Sequence, residues 1–351
     1  METILITGGA GFIGIHTSIS LLEKGFRVII IDSLVNASRK GVDRLRNKDY
    51  LGMSILNSQL KFIKGDVRDI NFLREVFNNE KVLGNIIKYV IHFAGLKSVR
   101  DSFLFQDLYW DVNVNGTKIL TKVMEENNCF NFVFSSSATV YGEDKASPLN
   151  EQSKLMPNNP YGKTKLAAEE FLKDFSKKSR SPWKIICLRY FNPIGSHPSG
   201  NFGESPLNIP NNLFPYICQV ANHTRNKLYV FGKDWPTPDG TCIRDYIHVM
   251  DLAEGHLAAL KAIQNNLKES FLIINLGTGI GTSVLELIRT FESINNLKLN
   301  YSFVERRDGD KAIVYAEANL AKNVLNWQAS RNLVDMCRDG WKWQQKNPYG
   351  Y

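Results

Sequence analysis

A tyrosine and a lysine stand four residues apart in Tyr161-Gly-Lys-Thr-Lys165, directly after Pro160. Proline is favoured at the first position of a helix, so we predict a helix that carries both side chains on one face. A phenol with a pKa of about 10 is a poor base at neutral pH, but a nearby ammonium favours the phenolate. The pattern therefore indicates a proton-transfer pair in which Lys165 lowers the pKa of Tyr161.

Three serines, ending at Ser137, follow the apolar run Phe132-Val-Phe134. A buried strand that runs into hydroxyl residues places them at the carboxyl end of the strand, where open α/β sheets bind ligands. A serine there can hydrogen-bond a substrate hydroxyl and relay its proton to Tyr161. Successive serines also suit a cap or a turn, so the assignment depends on the residues around them.

The segment Thr7-Gly8-Gly-Ala-Gly11-Phe-Ile-Gly14 follows a predicted strand and opens a predicted helix. Glycines there let the backbone approach a pyrophosphate, and the helix N-terminus offers free N–H groups to the phosphates. Asp32 ends the second predicted strand, 18 residues after Gly14. An acid near this spacing binds the adenosine ribose and would repel a 2′-phosphate, so the pattern predicts NAD rather than NADP.

The elements that must position these residues alternate between apolar strands and amphipathic helices, which predicts an α/β fold with a doubly wound, Rossmann-like parallel sheet. In the first part of the chain we predict strands over 2–7, 27–31, 60–64, 89–93, 130–135 and 184–189, and helices near 13–24, 71–78, 106–127 and 161–178. A loop rich in glycine and proline follows Phe191. We therefore predict an NAD-binding domain over 1–191 and a smaller mixed α/β lobe over 192–351, from which segments can return to the first domain.

Composition excludes several classes of protein. The 351 residues carry 43 basic and 35 acidic side chains, but the basic residues are interspersed with acids, so we predict no nucleic-acid partner. Apolar runs are too short to span a membrane, and an acid stands at position 2 where a secretory signal would be basic. The five cysteines form no Cys-x-x-Cys pair, which predicts neither a zinc site nor a disulfide framework. We expect a cytoplasmic protein without a bound metal.

In this order, the glycine segment, the strand-terminal serine and Tyr-x-x-x-Lys resemble the extended short-chain dehydrogenase/reductase family. Further segments resemble its UDP-glucose 4-epimerases over nearly the whole chain: His92-Phe-Ala-Gly-Leu-Lys97, Phe134-Ser-Ser-Ser-Ala-Thr-Val-Tyr-Gly142, Tyr190-Phe-Asn-Pro193, Pro210-Asn-Asn-Leu213, Arg244-Asp-Tyr-Ile-His-Val249 and Arg306-Arg-Asp-Gly-Asp310. The resemblance implies reversible inversion of carbon 4 of a UDP-hexose, UDP-glucose or UDP-galactose, through a 4-keto sugar and tightly bound NAD. It also implies a homodimer built from the helices near 106–127 and 161–178.

The resemblance assigns residues to three roles. The catalytic residues would be Ser137, Tyr161 and Lys165. The cofactor set would be Gly8, Gly11, Phe12, Ile13, Gly14, Asp32, Asn36, Ser38, Asp66, Val67, Phe93, Lys97, Tyr161 and Lys165. The UDP-sugar set would be Lys97, Ser137, Tyr161, Asn192, Asn212, Leu213, Tyr229, Phe231, Arg244, Arg307 and Asp310. The two arginines suit a pyrophosphate, because guanidinium groups match phosphate geometry.

The chain departs from the family pattern at three positions. Ser33 stands where an asparagine often follows the acid, and Val112 lies in a stretch that is normally rich in asparagine. The resemblance marks position 314 as a gate that an aromatic residue narrows. Val314 is small, so we expect room for a 2-acetamido group and hence turnover of UDP-GlcNAc and UDP-GalNAc.

Other functions remain open from the sequence. Nucleotide-sugar 4,6-dehydratases have a run that resembles Thr-Asp-Glu at the place where this chain has Ser137-Ala-Thr139. Elimination of water would therefore lack its acid here. A UDP-glucuronate 4-epimerase or another nucleotide-sugar-modifying enzyme is harder to exclude, since Arg244 or Arg307 could meet a sugar carboxylate. A catalytically silent NAD-sensing protein could share the fold, because a fold does not determine a function.

Overall fold

The computed structural model describes residues 1–351 except 143–146, 208–209, 211 and 308. Its strands are Thr3–Thr7 (β1), Arg27–Asp32 (β2), Leu60–Lys64 (β3), Ile87–His92 (β4), Asn131–Ser137 (β5), Lys184–Tyr190 (β6), Asn192–Ile194 (β7), Leu228–Phe231 (β8), Ile243–Arg244 (β9), Tyr246–His248 (β10), Phe271–Leu276 (β11), Thr282–Ser283 (β12), Tyr301–Val304 (β13) and Ile313–Val314 (β14). Its α-helices are Phe12–Glu23 (α1), Arg39–Leu45 (α2), Lys48–Leu51 (α3), Ile70–Val82 (α4), Val99–Leu104 (α5), Gln106–Trp110 (α6), Gly116–Glu126 (α7), Pro160–Lys178 (α8), Leu213–Ala221 (α9), Val249–Gln264 (α10), Val284–Asn295 (α11), Asn319–Leu325 (α12) and Leu333–Lys346 (α13).

A parallel seven-stranded sheet forms the centre of the molecule, with the strand order β11-β6-β5-β4-β1-β2-β3. The strand order reverses at β1, which lies between β4 and β2. In open α/β sheets, ligands bind outside the carboxyl ends of the strands at such a reversal. The predicted doubly wound, Rossmann-like fold is confirmed, and its cleft lies where the glycine segment leaves β1.

Both faces of this sheet are buried. Successive residues of a strand point to opposite faces. Ile4 and Ile6 of β1 accordingly belong to a core shared with α1 and α10, whereas Leu5 belongs to a second core shared with α4, α7 and α8. Burial on both sides explains why the strands are almost continuously apolar in sequence.

The smaller lobe follows residue 191, but the chain does not stay in it. Strands β7, β8, β9, β10, β12, β13 and β14 form three small sheets. The sheets β10-β7 and β13-β8 pack with α9, α11 and α13 around a third core. Between them, α10 packs against α1, and β11 joins the edge of the large sheet beside β6. Segments after residue 191 therefore return to the nucleotide-binding layer.

The helical region predicted over 106–127 is not one regular helix. A π-helical turn, Asp111–Asn115, separates α6 from α7. Asn113 lies in this turn and is buried. Its Oδ1 accepts a hydrogen bond from the backbone N–H of Leu96 at 2.8 Å, and its Nδ2 donates to Thr164 Oγ1 at 3.0 Å. A π-bulge often marks a functional position, and this one ties the loop after β4 to α8.

Candidate active site

The backbone of the turn between β1 and α1 leaves no room for a side chain at Gly8 or Gly14. Gly8 has φ +69°, and a Cβ there would lie 2.5 Å from the backbone nitrogen of Ala94. A Cβ on Gly14 would lie 2.6 Å from Gly9 Cα. The first turn of α1 begins at Phe12, beside Gly11, so its N–H groups face the cleft. A close backbone and a free helix N-terminus are what a pyrophosphate requires.

Asp32 supplies the carboxylate at the end of β2. Its two oxygens accept hydrogen bonds from the backbone N–H groups of Ala10 at 3.0 Å and Leu34 at 2.8 Å, which aim the carboxylate at the glycine turn. Burial raises the pKa of Asp32, while these two N–H donors act in the opposite direction. The glycine turn and this fixed acid fit the pyrophosphate and the ribose of NAD.

The other residues of the predicted cofactor set lie along the same edge of the sheet. Asp66 follows β3 and is paired with Arg68 at 2.7 Å, which lowers the pKa of the Asp66 carboxyl. Val67 is buried beside it, and Phe93, after β4, packs on His256 with ring centres 4.8 Å apart. The remaining members are Ile13 in α1, Ser38 as the N-cap of α2, and the exposed residues Asn36 and Lys97.

Tyr161 stands in the first turn of α8, which Asn159 caps by accepting a hydrogen bond from the Gly162 N–H at 2.8 Å. Both Tyr161 and Ser137, the last residue of β5, are half-buried. Burial raises the pKa of Tyr161 to about 12, and a hydrogen bond with the Ser137 side chain acts in the opposite direction. The structure thus brings the predicted base and the predicted serine together.

Lys165 lies one turn further along α8 and is buried. Its Nζ donates a hydrogen bond to the Ser135 carbonyl oxygen at 2.8 Å and lies 6.0 Å from the centre of the Tyr161 ring. Burial lowers the pKa of Lys165 to about 8. The predicted lowering of the Tyr161 pKa is therefore wrong: the cost of burying a phenolate dominates, and the Lys165 ammonium donates to the Ser135 carbonyl oxygen of β5.

Two pairs of the predicted UDP-sugar residues in the smaller lobe contact each other. Arg244 on β9 pairs with Asp310 at 3.4 Å, and the Arg307 guanidinium lies 4.3 Å from the centre of the Phe231 ring. Tyr229 is exposed on β8, two residues before Phe231. Asn192 begins β7 and Leu213 begins α9. Asn211 and Asp308, which belong to the motif segments quoted above, lie outside the described residues.

Glu204 links two predicted site residues, although sequence analysis did not select it. Its Oε1 accepts hydrogen bonds from Lys97 Nζ at 3.3 Å and from Asn212 Nδ2 at 3.4 Å. Lys97 follows β4 of the large sheet, whereas Asn212 caps α9 of the smaller lobe. The carboxylate therefore connects the two sides of the cleft. An acid in the loop after Phe191 was visible in the sequence, but its partners were not.

Sequence analysis also passed over Asn113 and Glu169. Asn113 stands between two valines, and an amide in an apolar stretch indicates a hydrogen-bonding role inside the protein. Glu169 pairs with Arg189, which lies within the apolar strand β6. A charged residue in such a strand needs a buried partner of opposite charge, and this signal could have directed attention to Glu169.

The described part of the chain contains no candidate metal site and no membrane-spanning helix. No cluster of three or more histidine, cysteine, aspartate or glutamate side chains there could hold a metal ion. Within the same residues, no helix combines the length and the apolar composition that crossing a membrane requires.

The parallel sheet, the glycine turn, the acid on β2 and the Ser-Tyr-Lys group define an extended short-chain dehydrogenase/reductase. A family model described as GDP-mannose 4,6 dehydratase matches residues 5–340. A UDP-glucose 4-epimerase from Cyamopsis tetragonoloba is 48% identical over 350 residues, which cover 100% of this chain and 97% of the relative. The chain therefore belongs to the UDP-glucose 4-epimerase family.

Solved structures are similar over the whole chain as well. The UDP-glucose 4-epimerase of Bifidobacterium longum, solved with NAD⁺ and UDP, is 43% identical with a TM-score of 0.91, and each chain is covered to 100%. That of Stenotrophomonas maltophila, solved with NAD and a formylated UDP-arabinopyranose, is 40% identical with a TM-score of 0.92, and each chain is covered to 99%. The family predicted from the sequence motifs is confirmed.

Proposed function

We propose that this chain is an NAD-dependent isomerase that interconverts UDP-glucose and UDP-galactose by inverting carbon 4. The observation that carries the proposal is the Ser137–Tyr161 pair, which stands at the carboxyl edge of the sheet beside the glycine turn. Full-length relatives with the same activity in their names support it. We favour this activity over UDP-glucuronate epimerisation and over NAD sensing on the same grounds.

The residues of the chain divide the work at the sugar. Tyr161 takes the proton of the 4-hydroxyl, directly or through Ser137, and returns it to the 4-keto oxygen in the reverse step. When bound, NAD⁺ supplies the hydride acceptor for carbon 4 and a positive charge that favours a phenolate nearby. Lys165 holds the nicotinamide ribose. Proton and hydride both return to the sugar, so the reaction has no net redox change.

The smaller lobe binds the nucleotide in this proposal. Arg244 and Arg307 present guanidinium groups to the diphosphate, and Phe231 offers an exposed ring for the uracil. Asn192, Asn212 and Leu213 line the path from the sheet to α9 and contact the sugar nucleotide. The opposite charges of Arg244 and Asp310 fix the arginine before substrate arrives.

Dehydration is disfavoured by the residues that follow the serine. Ala138 and Thr139 occupy the two positions after Ser137, and the Thr139 hydroxyl donates to Ser137 Oγ at 3.0 Å. Loss of water from carbon 6 needs a proton donor for the leaving hydroxide. An alanine and a threonine at these positions provide no carboxylic acid for that step.

An assay of UDP-galactose conversion to UDP-glucose tests the proposal. We expect Tyr161→Phe to lower kcat at least ~100-fold while NAD stays bound, because general acid–base catalysis contributes about this much. Tyr349→Phe is the matched control, since Tyr349 is 91% exposed. Full activity in Tyr161→Phe would remove the proposed base, and a wild-type protein that loads NAD but converts no UDP-galactose would reject the function.

We also propose that the chain forms a homodimer through α5, α6 and α8. Five large apolar side chains are exposed over 103–110: Phe103 at 55%, Leu104 at 70%, Phe105 at 55%, Leu108 at 45% and Trp110 at 41%. Both α5 and α6 pack against α8, so these side chains border that long helix. An exposed apolar patch of this kind marks an interaction surface.

The mass in solution tests the dimer. We expect light scattering to give twice the 39.9 kDa of one chain. Leu108→Glu should shift the equilibrium towards monomer, because two buried carboxylates would face each other across a two-fold axis. Leu83→Glu is the control, since Leu83 is 62% exposed outside this patch. A wild-type monomer at micromolar concentration would reject the dimer.

The cytoplasm is the compartment we propose. All five cysteines, Cys129, Cys187, Cys218, Cys242 and Cys337, are buried free thiols. Reduced, unpaired cysteines are usual where glutathione and thioredoxin keep thiols reduced. Fractionation of cells that express the chain with a small tag would test this, and recovery of the active protein from a secreted fraction would contradict it.

A further inference from the structure

One face of α8 meets the end of β5 through three consecutive serines. Tyr161, Lys165 and Glu169 are spaced one helical turn apart. The first is hydrogen-bonded with the Ser137 side chain, and the second donates to the Ser135 carbonyl oxygen. The third accepts a hydrogen bond from the Ser136 hydroxyl. Glu169 thus extends the Tyr-x-x-x-Lys pattern by one more turn.

Glu169 is buried, and both of its carboxylate oxygens accept hydrogen bonds. Its side chain is 2% exposed, and the partner Arg189 on β6 is fully buried. Arg189 donates from Nε to Oε1 at 2.9 Å and from Nη2 to Oε2 at 2.6 Å, which is a two-pronged pairing of planar groups. Arg189 also lies 4.8 Å above the centre of the Tyr141 ring. A pairing with this geometry offsets the cost of burying the two groups.

Lys165 needs a compensating charge because it is buried. Burial lowers its pKa to about 8, and the negative charge of Glu169 is the largest influence that raises it. The other titratable or charged groups that face Lys165 and its partner Glu169 are Tyr161 on the same helix, His92 on β4, and Cys187 and Arg189 on β6. Burial keeps His92 and the Cys187 thiol neutral at pH 7, because it lowers the pKa of the histidine and raises that of the thiol.

We propose that Glu169 is a positioning residue of the epimerase site: its carboxylate, clamped by Arg189 and Ser136, keeps Lys165 an ammonium bound to the Ser135 carbonyl. The inference rests on the proposed function for its catalytic meaning, but the charge of Lys165 can be measured without turnover. Arg189 contributes indirectly, since its two hydrogen bonds hold the carboxylate in place.

A titration of Lys165 tests the inference directly. The protein is labelled with ¹³C at lysine Cε, and the Lys165 signal is assigned from its absence in Lys165→Met. We expect Glu169→Gln to lower the midpoint of the Lys165 titration by about one pH unit or more, because it removes the nearest opposite charge. Glu170→Gln is the matched control, since Glu170 is the neighbouring, exposed carboxylate of the same helix. A midpoint that moves no further in Glu169→Gln than in the control overturns the inference.

A second variant guards against loss of the fold. Glu169→Gln leaves Arg189 buried without its partner, which can unfold the protein. Glu169→Gln/Arg189→Gln removes both charges, and the Lys165 midpoint should still fall, but by less than in Glu169→Gln, because a neighbouring positive charge is lost as well. A purely structural role would lower the melting temperature of both variants and leave the midpoint where it is in the wild type.

Turnover separates this inference from the proposed function. If both hold, the alkaline limb of the pH–rate profile for UDP-galactose shifts to lower pH in step with the Lys165 midpoint. An active wild-type enzyme with an unmoved midpoint in Glu169→Gln rejects the role of Glu169 alone. If the wild-type protein converts no UDP-galactose but Glu169→Gln still lowers the Lys165 midpoint, the epimerase function is rejected and the charge relationship is supported.

Discussion

The Lys165 ammonium is bonded to the Ser135 carbonyl oxygen at 2.8 Å, and its nitrogen lies 6.0 Å from the centre of the Tyr161 ring. The bond uses one of the three donors of the ammonium and leaves two for other partners. Lys165 is therefore anchored to the end of β5, within the same edge of the sheet as Ser137. From this place its two remaining donors can bind a ligand.

Removing this charge should impair turnover more than folding. We expect Lys165→Met, which keeps the length of the side chain, to lower kcat for UDP-galactose at least ~100-fold and to weaken retention of NAD. Its melting temperature should not fall, because a buried ammonium is costly to desolvate. Lys163→Met on the exposed side of α8 is the control. Turnover within threefold of wild type in Lys165→Met would contradict the role of this lysine.

Three buried histidines should make the fold sensitive to acid. Burial lowers the pKa of His16 and His92 to about 3 and that of His256 to about 4. The unfolded chain binds protons near pH 6.5, so the free energy of unfolding is highest above that pH and is lost as the pH falls towards 3 to 4. Each histidine contributes a slope of up to about 1.4 kcal/mol per pH unit in this window.

Urea unfolding at pH 7.0, 6.0 and 5.0 measures this slope. Added salt should change it little, because burial rather than surface charge causes the shifts. A free energy of unfolding that is constant from pH 7 to pH 5 would contradict the assignment of these histidines as neutral.

The glycine turn can be tested against a second glycine with the same backbone but no crowding. Gly8 has φ +69° and Gly25 has φ +79°, but no atom lies within 4 Å of a Cβ placed on Gly25. Alanine at Gly25 should cost roughly 1–2 kcal/mol for the left-handed backbone alone. Gly8→Ala adds a clash with the Ala94 backbone, so we expect a larger fall in melting temperature and loss of bound NAD. Equal effects of the two changes on stability and NAD content would refute this account of the turn.

We propose that the substrate range depends on Val314. It is half-buried on β14 and stands opposite Arg244 of β9 in the parallel register, which places it beside a proposed phosphate-binding residue. We expect wild-type protein to convert UDP-GlcNAc, and Val314→Tyr to reduce that turnover at least ~10-fold relative to UDP-galactose, since overfilling a packed space costs about 1–3 kcal/mol. Ile313→Tyr is the control, because Ile313 faces the other side of the strand and is exposed. Undetectable turnover of UDP-GlcNAc where UDP-galactose reacts quickly would reject the prediction.

Local patterns in the sequence were enough to predict which helix, strand or turn carries each candidate site residue. The glycine segment, Asp32 at the end of a strand and the Tyr-x-x-x-Lys spacing each depend on neighbours a few residues away, and the structure places each on the expected element. The interrupted helix near 106–127 was not predicted. Within the interrupting turn, Asn113 donates a long-range hydrogen bond to Thr164, and such a bond leaves no periodic trace in the sequence.

By itself, the sequence determined the alternation of strands and helices, the glycine turn and the spacing of the candidate proton-transfer groups, because these follow from side-chain period and backbone sterics. Tertiary structure alone decided that burial raises the pKa of Tyr161, that Glu169 faces Arg189, and that β11 closes the edge of the large sheet. These outcomes depend on which distant segments exclude water from a side chain or pair with a strand edge. The free energies of desolvation and pairing belong to contacts between residues far apart in the chain, and those contacts exist only once it has folded.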